Sequence, residues 1–134
     1  MEKIIINGEG AILGRLATYS AKQALEGNEI IILNSDKVII SGNKQNIIEK
    51  YKMLRDLGGT TQKGPHFPRE PFRIVKRAIR GMLPDHRMGI GKQALSRVKC
   101  YDDAPTEFEK EKHHKIKTQK PHKFIELKEL SEKI

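Results

Sequence analysis

Two isoleucine-rich runs, KIIIN at residues 3–7 and EIIILN at 29–34, constrain this chain more than any other feature. Each is too short for a helix of its own and is bounded by polar residues, the pattern of a strand buried on both faces. Between them Leu13, Leu16/Ala17, Ala21 and Ala24/Leu25 recur at helical spacing until Gly27 ends the run. Strand, helix, strand in that order implies a right-handed parallel crossover. The chain is therefore expected to build an α/β core.

Downstream, a brief KVII segment leads to SGN at 41–43, a helix start. Ile47/Ile48, Tyr51, Leu54 and Leu57 then mark one apolar stripe up to Gly58-Gly59. TTQKGPHFPREP (60–71) holds three prolines and a glycine and reads as an extended surface loop carrying Lys63, His66 and Arg69. In FRIVKRAIRGMLP, Phe72, Val75, Ile79 and Met82 fall on one helical face while Arg73, Lys76, Arg77 and Arg80 fall on another. DHRMGIGKQALSRVKCYD continues as a Gly-bearing loop, a short helix around 92–97 and a strand near 98–101, adding His86, Arg87, Lys92 and Arg97. EFEKEKHHKIKTQKPHK (107–123) is poor in apolar residues and dense in charge, which reads as a mobile or partner-ordered arm. KFIELKELSEKI regains apolar periodicity and is expected to dock as a strand, a helix or both.

At 134 residues the chain is expected to be one domain, with a core over about 3–104, a charged arm over about 105–123 and a docking element at 124–134. No apolar run reaches the length that spans a bilayer, and MEKIIINGEG lacks the apolar region and cleavage site of a signal peptide. The expectation is a soluble, intracellular protein.

The net charge of +9 is concentrated: residues 61–101 carry 10 Lys/Arg against 2 Asp/Glu, and six of the eight arginines lie there. Arginine presents a planar fork of donors that matches phosphate oxygens. No acid lies between Glu70 and Asp85. Like charges at i, i+4 repel by a few tenths of a kcal/mol in an isolated helix, so an uncompensated row calls for an anion. Nucleic acid is the leading partner.

Gly8, Gly10 and Gly14 follow a strand and enter a helix, and Asp36 follows the second strand, a partial likeness to a dinucleotide turn. The spacing is one residue longer than G-x-G-x-x-G, a two-half dinucleotide fold does not fit the length comfortably, and no substrate-domain acid and base pair is evident, so Gly8, Gly10 and Gly14 read chiefly as residues that let the chain turn tightly and the first helix pack close to the sheet. GIGK at 89–92 fails as a triphosphate loop because His86 and Gln93 stand where Gly and Ser/Thr are required. His113, His114 and His122 lack the spacing of a zinc site. Cys100 reads as a half-buried apolar residue in a strand.

NGEGAILGRLATYSAKQALEG, VIISGN, KGPHFPREP, RAIRGMLP and ALSRVKCYDDAP, in that order, resemble the universal large-subunit ribosomal protein family usually numbered thirteen, in its archaeal and eukaryotic form, over roughly residues 3–108. Gly14-Arg15-Leu16-Ala17 matches the family's GRLA turn and Ser41-Gly42-Asn43 its SGN. Gly64-Pro65-His66 resembles its glycine-proline phrase, and Arg80-Gly81-Met82-Leu83-Pro84 matches its RGMLP. DHRMGIGKQ is less typical, and the lack of a long C-terminal extension looks archaeal.

The resemblance implies a three-layer α/β/α domain around a small, mainly parallel sheet. It also implies an early structural role in large-subunit assembly and in translation, in the cytoplasm, with no catalysis and no nucleotide cofactor. The implied partners are large-subunit ribosomal RNA and neighbouring ribosomal proteins. Charge and resemblance together give the candidate RNA contacts: Arg15, Lys63, His66, Arg69, Arg73, Lys76, Arg77, Arg80, His86, Arg87, Lys92 and Arg97. The rivals are a small nucleotide-dependent enzyme using Gly8, Gly10, Gly14 and Asp36, and a DNA-binding protein, for which no groove-reading motif is recognisable.

Overall fold

The structure, a computed structural model, describes residues 2–57, 67–105, 113–116 and 121–134. The first isoleucine run is β1 (Lys3–Asn7), the helical stretch is α1 (Leu13–Leu25) and the second run is β2 (Glu29–Leu33). β1 and β2 pair in parallel, residue for residue from Lys3↔Glu29 to Asn7↔Leu33. β4 (Val98–Cys100) adds to β2 and β5 (His113–Lys115) to β1, both parallel, giving the order β4-β2-β1-β5. β5 falls within the charged stretch read as an arm.

Side chains alternate across a strand. Ile4, Ile6, Ile30 and Ile32 accordingly enter the main core, while Ile5, Ile31 and Leu33 form a second cluster on the opposite face with Tyr101 and Ala104. Both faces are buried, which is why these runs are continuous rather than alternating.

A 3-10 turn (Ser35–Lys37) leads into β3 (Ile39–Ser41), which pairs antiparallel with β6 (Phe124–Glu126) as a separate two-stranded sheet. α2 (Lys44–Asp56) starts where SGN indicates, with the Asn43 side chain accepting from the Gln45 N–H at 2.9 Å. Then come α3 (Pro71–Gly81), α4 (Gly89–Ser96) and α5 (Leu127–Lys133), so the C-terminal segment is both strand and helix. With five helices among the described residues and a mainly parallel four-stranded sheet, this is the expected three-layer α/β fold. α3 and α4 both pack on α1 and reach β4.

Three details differ from expectation. α3 buries Ile74, Val75 and Ile79, whereas Phe72 is half-buried and Met82 is 46% exposed. Met82 lies one residue past the helix, so its helical phase no longer applies. α4 begins at Gly89 rather than near 92 because two glycines permit it: Gly89 has φ +64°, and a Cβ on Gly91 would collide with the carbonyls of Pro84 and Asp85.

The glycines before α1 divide the work unevenly. Gly8 sits against the end of β2, where a Cβ would lie 2.8 Å from Val38 Cγ2 and 3.0 Å from the Leu33 carbonyl oxygen. Gly10 turns with φ +74°. Gly14, expected to let α1 approach the sheet, is exposed, and a Cβ there would meet nothing within 4 Å. It lies on the solvent side of the helix, away from the inward Leu13, Leu16 and Ala17.

Candidate nucleic-acid interface

α3 is fixed by three devices. Pro71 occupies the start of the helix, where its missing N–H costs nothing. The Phe72 N–H donates to Asp102 Oδ1 at 3.0 Å, joining the helix start to the chain after β4. Ile74, Val75 and Ile79 dock into the main core. Burial pushes the Asp102 carboxyl above its ordinary range, opposed by the Phe72 hydrogen bond and reinforced by Asp36, Asp103 and Glu70.

With that face inward, Arg73, Lys76, Arg77 and Arg80 line one depression together with Pro68 and Leu95. Arg73 lies 4.0 Å from Glu70 in an exposed pair that contributes little. A hydrogen bond from its own backbone N–H, aided by the Arg73 charge, holds the Glu70 carboxyl below its usual range. Among the described residues no carboxylate pairs with Lys76, Arg77 or Arg80. The Arg77 guanidinium lies 4.8 Å from the centre of the Phe67 ring, and Phe67 meets Tyr51 edge-to-face at 5.2 Å. This stack joins α2, the end of the Pro-rich segment and α3.

Arg87 and Lys92 are exposed on the loop and first turns of α4, and His86 is half-buried. Arg15 lies outside the α3 depression, in a shallow hollow with Gly14, Thr18, Tyr19 and Lys22. The two regions approach each other at Thr18, whose Oγ1 is 3.4 Å from Met82 Sδ just beyond α3. Lys22 was not among the expected contacts, although its spacing from Arg15 on one helix marks the same face.

Two expected contacts are already engaged inside the chain. Arg69 Nε donates to the Ser131 carbonyl at 2.8 Å, and an Arg97 guanidinium N–H donates to the Ala24 carbonyl at 2.9 Å. Both carbonyls lie in the last turn of a helix, where the helix dipole favours a cation, and the Ala24 carbonyl accepts the Gly27 N–H at 3.1 Å as well. Arg55 similarly reaches the Ile134 carbonyl at 3.0 Å. Lys63 and His66 lie outside the described residues.

The nucleotide turn does not keep its approach open, because Gly8 is closed in by Val38 and its N–H is spent on Leu33 O at 2.8 Å. Asp36 sits in the 3-10 turn with Oδ1 buried and without a partner among the described residues. No group of three or more His, Cys, Asp or Glu that could hold a metal ion occurs among the described residues, and no helix there is long and apolar enough to cross a membrane. Cys100 is half-buried in β4, its thiol pushed up to about 12 chiefly by burial, so it is protonated and unreactive at neutral pH.

Residues 1–107 match the family model described as Ribosomal protein L13. The chain is 44% identical over 133 residues to "Large ribosomal subunit protein uL13" of Thermoplasma acidophilum, with 97% of this chain and 96% of that protein covered. It is 42% identical to the protein of the same name from Methanosarcina barkeri, again over 97% and 96%. To that from Saccharolobus solfataricus it is 45% identical over 109 residues, 79% of this chain and 72% of that protein.

Proposed function

Because the chain belongs to the Ribosomal protein L13 family, in its archaeal form, we propose that it is a structural constituent of the large ribosomal subunit in the cytoplasm, binding ribosomal RNA through the outer faces of α3, α4 and α1. It is not an enzyme; its work is to hold RNA and to contact neighbouring large-subunit proteins. The observation that carries the RNA reading is the depression in which Arg73, Lys76, Arg77 and Arg80 converge with no carboxylate on Lys76, Arg77 or Arg80 among the described residues.

In this reading Arg15, Lys76, Arg77, Arg80, Arg87 and Lys92 meet phosphates, with Arg73 leaving Glu70 to do the same and Lys22 added beside Arg15. Lys63 and His66 of the Pro-rich segment belong to the same proposed set of contacts, and His86 contributes from the loop. Arg69 and Arg97 brace helix ends behind it. A-form RNA has a deep groove that side chains cannot read, so the protein recognises backbone, shape and 2′-hydroxyls. A rigid α/β core suits that task because it fixes the spacing of the cations.

If about six to eight phosphates are contacted, log affinity falls against log salt with a slope of roughly −4 to −7. Titration of folded large-subunit RNA fragments over a range of salt measures it, and a slope near zero overturns the reading. Duplex DNA as competitor at fixed salt is expected to displace the RNA poorly; equal competition would make this a general polyanion binder.

A further inference from the structure

Met82, Met88 and Ile90 are 46%, 67% and 66% exposed, half of the exposed large hydrophobic residues among the described ones. All three fall within nine residues, where α3 passes into α4. Large apolar side chains gathered on a surface mark a contact more often than single ones do.

The loop that presents them is built, not slack. Gly89 takes a left-handed φ of +64°, Gly91 leaves no room for a Cβ beneath the carbonyls of Pro84 and Asp85, and the Arg87 N–H donates to Asp85 Oδ1 at 3.0 Å. Met88 and Ile90 therefore project from fixed backbone. They have no work in folding: neither belongs to either core cluster.

The charges around them select the occupant. Arg87 and Lys92 are exposed and flank Met88 and Ile90 along the chain, Arg80 precedes Met82 by two residues, and Asp85, the one acid between residues 80 and 92, accepts from the Arg87 N–H. A partner that covers the apolar residues must also neutralise these cations, which a polyanion does. Met82 also meets Thr18, so the patch continues the hollow of Arg15 and Lys22.

From this we infer that Met88 and Ile90, with Met82 beside them, lie against riboses and base edges in the wide, shallow minor groove of folded RNA while Arg87 and Lys92 take the phosphates on its rims. The inference rests on the RNA-binding reading and adds a contact that does not depend on salt.

The test is Met88→Ala with Ile90→Ala, assayed on large-subunit RNA fragments across a salt series. Burying two apolar side chains is expected to be worth about five- to tenfold in affinity, lost equally at every salt concentration, with the slope unchanged. Met88→Leu with Ile90→Leu is expected to retain wild-type affinity. Unchanged affinity in the alanine variant, with a steep slope in the wild type, overturns the inference and leaves the RNA reading standing. A shallower slope in the alanine variant also overturns it, because the cations rather than the apolar contact were disturbed. A wild-type slope near zero removes the RNA reading itself. Circular dichroism melting of both variants is expected to match the wild type, since the side chains are outside the cores.

Discussion

The end of α5 and the outer face of α3 both gather arginine, to opposite ends. At α5, Arg55 and Arg69 donate to the carbonyls of Ile134 and Ser131, so two cations of a basic protein are spent on holding one of its own helices. On α3, Arg73, Arg77 and Arg80 donate to no carbonyl among the described residues and share one depression with Lys76. The residue type is the same; what differs is whether helix-end carbonyls lie within reach. Arg97, on the Ala24 carbonyl, belongs with the first set although its sequence neighbours belong with the second.

The largest expected effect probes the boundary between inside and outside. Cys100 lies close enough to Lys76 to feel its charge, yet burial dominates and pushes its thiol up to about 12. Alkylation at pH 8 should be slower in the folded protein than in denaturant by about a thousandfold, following the thiolate fraction. Comparable rates would place the segment behind α3 in solvent and dissolve the boundary.

Next, Arg73→Glu with Arg80→Glu should weaken RNA binding by at least about a hundredfold at moderate salt and flatten the salt slope by roughly 2, while the melting temperature stays put. Unfolding of that variant would move both residues into the bracing set. Conversely, Arg97→Met should lower stability by about 1–2 kcal/mol in chemical denaturation, because the Ala24 carbonyl loses a charged donor. Its RNA slope should match the wild type, and a slope shallower by about one would return Arg97 to the phosphate-binding set.

The smallest effects separate the glycines. Gly8→Ala is expected to cost about 1–3 kcal/mol, since its Cβ enters the space of Val38 and the Leu33 carbonyl. Gly14→Ala should instead stabilise by up to about 1 kcal/mol, because it occupies an open helical position. Equal losses in thermal melts would mean that Gly14 does pack against something.

These contrasts mark how much was legible beforehand. The parallel pair β1 and β2 followed from two isoleucine runs because burial on both faces leaves no polar alternation to misread. The cationic strip of α3 was equally plain, since helical spacing alone aligns Arg73, Lys76, Arg77 and Arg80. Met82 was misplaced because a helical period says nothing once the helix has ended. The roles of Arg69 and Arg97 could not be seen because their acceptors lie 62 and 73 residues away, beyond any local pattern. Gly14 was misjudged because the two glycines before it, Gly8 and Gly10, do answer to backbone constraints and it shares their spacing.

The pairing of β3 with β6 carries a consequence in time. Ile39, Ile40 and Ser41 stand opposite Glu126, Ile125 and Phe124 in antiparallel register, so an early strand finds its partner only about 85 residues downstream. While the chain is being synthesised, β1, α1 and β2 come together early, and β3 meets residues 11–12 along one edge but waits with the other open. Arrival of residues 124–126 closes that edge, and α5 then follows directly to be gripped by Arg55 and Arg69. Closure of the second sheet is thereby delayed until about 85 residues beyond β3 have been made.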